Sequence, residues 1–129
     1  MNIPENLRYT KDHEWVKVDG DVATIGISEF AVEQLGDITL VEMPGVGDKI
    51  KAGEAMGTVE SVKAVSDMFA PISGTVNAVN EELDDAPEKV NEDCYGAGWM
   101  LSIKISDPAE VEALFDSAGY KDHLSTIDD

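Results

Sequence analysis

One lysine stands apart in this sequence. Between Lys51 and Lys89 the chain carries a single basic side chain, Lys63, among eight Asp and Glu residues. It lies in Gly57-Thr58-Val59-Glu60-Ser61-Val62-Lys63-Ala64-Val65-Ser66-Asp67-Met68-Phe69-Ala70-Pro71, between two β-rich runs, where a tight hairpin would set it at an exposed apex. A lysine on a turn is most simply a solvated one. As a nucleophile it would need burial or a neighbouring cation, the usual routes to a reactive amine. Its neighbours are Glu60 and Asp67 instead, whose charge favours the ammonium form. Lys63 is therefore a poor unaided nucleophile, but it is well placed for presentation to another enzyme that brings an activated acyl group.

The remaining chemistry-bearing residues form no constellation. His13 and His123 are far apart in sequence, and neither has a cysteine at metal-ligand spacing, so His13 reads as structural or surface. Cys94 is the only cysteine, which excludes an intramolecular disulfide and fits a reducing compartment. No histidine lies near it in sequence to serve as base, so it reads as a packing residue. Asp84-Asp85 and Glu92-Asp93 lack the spacing of a calcium loop and read as a solvated acidic loop. Gly-x-Gly-x-x-Gly, a phosphate-binding loop and a Ser-His-Asp order are all absent, and nothing supports independent catalysis.

The elements that must position Lys63 read as mostly strand. Glu14–Val18 and Val22–Ile27 are β-rich and flank Asp19-Gly20-Asp21, a hairpin turn. Ser28 can cap a short helix over Glu29–Leu35, with Gly36 where a helix end favours positive φ. Ile38–Val41, Met56–Glu60, Val65–Ala70, Thr75–Val79 and Met100–Ile105 read as short strands punctuated by Gly, Pro and Asp. Near the C-terminus, Asp107-Pro108-Ala109-Glu110 supplies a cap, a first-turn proline and a Glu for a capping box. Val111, Leu114, Phe115 and Ala118 continue at helical spacing and Gly119 ends the run. Gly36-Asp37-Ile38-Thr39-Leu40-Val41 and Gly74-Thr75-Val76-Asn77-Ala78-Val79 form a faint repeat, which would make the two blocks equivalent strands of similar halves. This spacing predicts a mainly β fold, a flattened barrel-like sandwich with flanking short helices, one of them C-terminal.

With 129 residues, 1–129 is expected to be a single domain. The 27 acidic residues against 9 basic ones give a net charge of −18, and Arg8 is the only arginine. That balance argues against nucleic acid and anionic membranes as partners, and it favours proteins with basic faces. The acidity also favours a soluble monomer. The start, Met1-Asn2-Ile3-Pro4-Glu5, lacks the pattern of a signal or transit peptide. The expected location is the bacterial cytoplasm, or the mitochondrial matrix for a mature eukaryotic chain.

Glu60-Ser61-Val62-Lys63-Ala64, then Ser66-Asp67 and Ala70-Pro71-x-Ser73-Gly74-x-Val76, resembles the lipoyl-attachment region of the glycine cleavage system H proteins. The likeness extends to His13-Glu14-Trp15, Ala23-Thr24-Ile25-Gly26-Ile27, Leu35-Gly36-Asp37 and Gly98-Trp99-Met100, in the family's order over nearly the whole chain. The resemblance implies a lipoyl/biotinyl-carrier type of fold and a carrier rather than an enzyme. Lipoate would be attached through an amide to Lys63 by a lipoate-protein ligase or a lipoyl/octanoyl transferase. The arm would take the aminomethyl group from a pyridoxal-phosphate glycine decarboxylase (P protein) to a tetrahydrofolate-dependent aminomethyltransferase (T protein), and dihydrolipoyl dehydrogenase (L protein) would reoxidise it. Glu60 and Asp67 would form the modification-site context. Glu14 and Asp67 match positions that hold the loaded arm in a surface cleft, whereas Gln34 replaces a histidine that the family can have nearby. Biotin carriers flank their lysine with methionines, and here Val62 and Ala64 stand instead. The lipoyl domains of 2-oxoacid dehydrogenases usually front a longer chain with a linker and catalytic domain. A lipoyl relay or donor protein would have the same sequence features, and an unmodified interaction module of the same fold is the alternative of another class.

Overall fold

The computed structural model describes residues 2–127, and all statements below concern these. Two antiparallel sheets enclose the core. The first contains β1 (Arg8–Tyr9), β2 (Glu14–Asp19), β3 (Val22–Ile27), β5 (Lys49–Ile50), β8 (Gly74–Val79) and β9 (Leu101–Ile105), in the order β1-β2-β3-β9-β8-β5. The second contains β4 (Ile38–Glu42), β6 (Ala55–Ser61) and β7 (Val65–Phe69), in the order β4-β6-β7. Alternation supplies one apolar face per strand. Ile25, Ile103 and Val76 from the first sheet thus share a core with Val41, Val59 and Met68 from the second.

Between β3 and β4 runs α1 (Glu29–Leu35), with the predicted bounds. The Ser28 hydroxyl accepts from the Ala31 N–H, and Gly36 takes φ 78° at the other end, where a side chain would be strained. Gly20 turns the β2–β3 hairpin at φ 66°. In the β2–β3 pairing Trp15 stands opposite Gly26. A Cβ built at Gly26 would come within 2.7 Å of the Trp15 ring, so this strand glycine is required by the indole lying against it. The other face of the first sheet carries a second cluster, in which Tyr9 and Tyr120 stack at 4.6 Å beside Leu7 and Trp15.

The structure corrects two expectations. The stretch expected to be an acidic loop forms two one-turn helices, α2 (Glu82–Asp85) and α3 (Lys89–Glu92), because Leu83 and Val90 enter the core. The helix expected to run from Asp107 to Gly119 is broken in two. Asp107 does accept from the Ala109 N–H, but α4 covers only Ala109–Glu112, and Glu110 turns to the Ser73 N–H and hydroxyl instead of closing a capping box. Phe115 then exchanges both backbone hydrogen bonds with Tyr9, which extended backbone can do and a helix cannot. Asp116 starts a new helix, α5 (Ser117–Thr126), by accepting from the Gly119 N–H, so Gly119 lies inside a helix rather than after one. The repeated blocks take matching places, β4 next to β6 and then β7 in the small sheet and β8 next to β9 and then β3 in the large one, and the register breaks at the same point of each, between Ile38 and Leu40 and between Val76 and Ala78. No helix among the described residues is long and apolar enough to cross a membrane.

Candidate functional site

Lys63 lies at the exposed tip of the β6–β7 hairpin. The turn is held by Ser61. Its backbone N–H donates to the Ala64 carbonyl at 2.8 Å, while its hydroxyl accepts from the N–H groups of Lys63 and Ala64, each at 3.1 Å. Neither Val62 nor Lys63 has positive φ, so side-chain bonding replaces the Gly or Asn that the tightest hairpin turns need. The Val62 N–H donates to the Asp37 carbonyl, tying the tip to the segment after α1. That segment is braced in turn by Asn91 of α3, which accepts from the Ile38 N–H at 2.9 Å and donates to the Gly36 carbonyl at 2.8 Å. The lysine stem passes over Gly36. Among the described residues the ammonium makes no ion pair. The hairpin thus presents one primary amine on a fixed backbone, free to enter another protein's site.

Glu60 and Asp67 belong to the same two strands. Glu60 pairs with Val65 beside the turn, and Asp67 pairs with Thr58 one outward-facing row further along. Neither carboxylate contacts Lys63. Glu14 lies elsewhere. It is 2% exposed on β2, and it reaches across to the free edge of β7, accepting from the Phe69 N–H at 3.2 Å and from the Thr10 hydroxyl at 2.6 Å. Burial outweighs these two donors and pushes its pKa up to about 7. The carboxyl lines a mostly apolar cleft of about 280 Å³ with Tyr9, Ala70, Pro71, Leu114 and Phe115. Phe69 stands four residues from Val65, roughly 13 Å of strand, so the cleft and the lysine occupy opposite ends of β7. Asp67 lies between them and is exposed.

His13 keeps a structural place. Its φ of 73° is the only positive value at a non-glycine among the described residues. Its Nδ1 lies 2.8 Å from the Tyr120 hydroxyl, which also bonds Ser28 at 2.7 Å. Burial, reinforced by His123, lowers its pKa. Cys94 is buried, and burial pushes its thiol up to about 12. No group of His, Cys, Asp and Glu among the described residues is arranged to hold a metal ion. Asn91, Thr10 and Phe69 escaped the sequence reading. Asn91 lies 53 residues from Ile38, and Phe69 lies 55 from Glu14, so no local pattern announces them.

The residues here suit a lipoyl group: the amine is exposed at the hairpin apex and is in no ion pair among the described residues, as acylation requires. The comparisons agree in kind. The family model described as Glycine cleavage H-protein matches residues 7–127. The chain is 57% identical over 121 residues to a glycine cleavage system H protein of Anaeromyxobacter sp. (strain K), covering 94% of each. It is 55% identical to that of Acidobacterium capsulatum, covering 94% of this chain and 93% of the other. The crystal structure of a glycine cleavage system H protein from Mycobacterium marinum superposes with a TM-score of 0.88 at 40% identity, covering 95% of this chain and 99% of that one. With a matching family sequence from end to end of the fold and a matching two-sheet architecture, the chain belongs to the glycine cleavage H-protein family.

Proposed function

We propose that this chain is the lipoylated carrier of a bacterial, cytoplasmic glycine cleavage system, with the group attached through an amide to Lys63. An H protein is a non-catalytic component of a multienzyme system, so its residues attach, present and shelter rather than react. Lys63 supplies the amine. Ser61 and Asn91 fix the backbone beneath it, so the point of attachment stays put while the side chain above it moves. When bound, lipoate supplies a dithiolane for thiol–disulfide exchange and for carrying an aminomethyl group. Glu14 offers a carboxyl in a mostly apolar cleft, suited to a cationic amine brought there, and Asp67 offers a second carboxylate along the path from Lys63. The partners are glycine decarboxylase, aminomethyltransferase and dihydrolipoyl dehydrogenase, together with the ligase or transferase that acylates the lysine. Tethering lets one arm visit three sites without releasing its cargo. The net charge of −18 favours basic partner faces and makes docking weaken with salt.

The observation that carries this reading is the pairing of a lone, unpaired lysine at a braced hairpin apex with the family's sequence around it. Reconstitution with the three purified enzymes tests it. Glycine-dependent NADH formation should require the lipoylated chain and should be absent with Lys63→Arg, which keeps the charge but offers no acylatable amine. Lipoylated chain that donates its group to other proteins yet supports no glycine cleavage would replace the cycle with a relay role.

A further inference from the structure

Three of the chain's large exposed apolar side chains gather around the lysine. Val62 is 70% exposed, Val65 66% and Leu40 40%. Cross-strand register explains the grouping: Leu40, Glu60 and Val65 lie side by side on β4, β6 and β7, and the next outward row is Glu42, Thr58 and Asp67. Residues directly opposite in antiparallel strands share a face, so the outer face of the small sheet presents Leu40 and Val65 on either side of Glu60 beside the hairpin tip and the acids Glu42 and Asp67 in the row behind. Glu42 accepts from the Thr58 hydroxyl at 3.0 Å, which orders that second row. β4, β6 and β7 contain no Lys or Arg, and none of these three carboxylates is in an ion pair among the described residues.

We propose that this face is the docking surface for the enzyme that acylates Lys63, a protein presenting an apolar floor rimmed by Lys or Arg. The inference rests on the attachment reading above and adds its recognition surface. Reach selects this occupant among the partners. The lysine Nζ is only four methylenes from the backbone, so an enzyme acting on it must close over Val62, Val65 and Leu40. Partners that act on the far end of the finished arm need not touch them. The step is an acyl transfer: the deprotonated Nζ attacks the carbonyl carbon of an acyl-adenylate, the C–N bond forms, the C–O bond to phosphate breaks, and AMP leaves with the electron pair. The proton from the ammonium passes to a base on the enzyme or to solvent. Apolar contacts here would supply affinity, and the acids would supply orientation and on-rate.

The test is acylation of the full chain by a lipoate-protein ligase with lipoate and ATP, followed by intact mass. Leu40→Thr/Val65→Thr keeps two strand-forming exposed positions and should lower kcat/KM about tenfold or more, chiefly through KM, as expected when interface anchors are lost. Glu42→Gln/Asp67→Asn should flatten the salt dependence of the same rate. Val46→Thr, at another exposed valine (65%), should change nothing. Calorimetric binding of the ligase to Lys63→Arg chains should weaken with the same face variants, although no chemistry can follow. Unchanged kcat/KM and binding in the face variants would overturn the docking surface while leaving Lys63 as the attachment point. So would slowing confined to the later reactions of chain lipoylated in advance. Failure of the wild-type chain to be acylated would overturn the attachment reading itself.

Discussion

Replacing Glu14 by Gln keeps the shape of a buried side chain and removes its charge. In the folded chain Glu14 is 2% exposed, and burial lifts its pKa from 4.5 to about 7, despite the donors from Thr10 and Phe69 and with a small further push from Asp12. The folded state therefore holds this proton more tightly than the unfolded chain does. Glu14's stabilising contribution is complete below pH 4.5 and is lost as the pH rises through 7. Integrating between pH 5 and pH 8, the loss is roughly 2–3 kcal/mol. Urea unfolding of wild type and Glu14→Gln at pH 5, 6, 7 and 8 isolates the term, because the effects of the other carboxylates cancel in the difference. The stability difference between Glu14→Gln and wild type should move by roughly 2–3 kcal/mol in favour of Gln across that range. Parallel pH profiles would refute the reasoning and mean that the donors, or water in the cleft, fully offset burial. The same shift has functional content. Near neutral pH the carboxyl is poised to ionise, and a cation brought into the cleft would complete the ionisation. Glu14→Gln should then shorten the lifetime of the aminomethyl-loaded chain.

Other expected outcomes follow from single contacts. Gly26→Ala puts a methyl 2.7 Å from the Trp15 ring; it should cost about 1–3 kcal/mol, read as a lowered urea midpoint. Asn91→Ala strips the Ile38 N–H and the Gly36 carbonyl of their partner; it should cost about 1–3 kcal/mol and raise hydrogen exchange at Ile38 and Val62 relative to the β3–β9 core. Cys94 should react with an alkylating reagent at pH 8 at least ~100-fold more slowly in the native chain than in the unfolded one, since burial, with help from Glu29, pushes its thiol to about 12; labelling at the unfolded rate would show that the site opens freely.

Much of the frame was legible because its signals are local. Ser28, the apolar spacing of 29–35 and Gly36 define α1 to the residue, and alternation with turn residues locates β2, β3, β4, β6, β7, β8 and β9. β1 and β5, two residues each, are too short to show any period and exist only through their partners. The C-terminal region misleads because its helix signals are real but interrupted. A start at Asp107 and a second at Asp116 read as one helix until the Tyr9–Phe115 pairing is known. The candidate site divides the same way. Lys63 at a hairpin apex could be read from sequence contrast alone, whereas the bracing by Asn91 and the burial of Glu14 against β7 arise from contacts across more than fifty residues.

The account turns on Lys63, and mass spectrometry of the chain from a lipoate-replete host, beside Lys63→Arg, tests it most directly. It predicts a lipoyl-sized mass increase on the Lys63 peptide, absent from the variant. An unmodified Lys63, with a competent ligase shown to be present, would contradict it and leave an interaction module of the same fold; a biotin-sized increase would contradict it in favour of carboxylase chemistry.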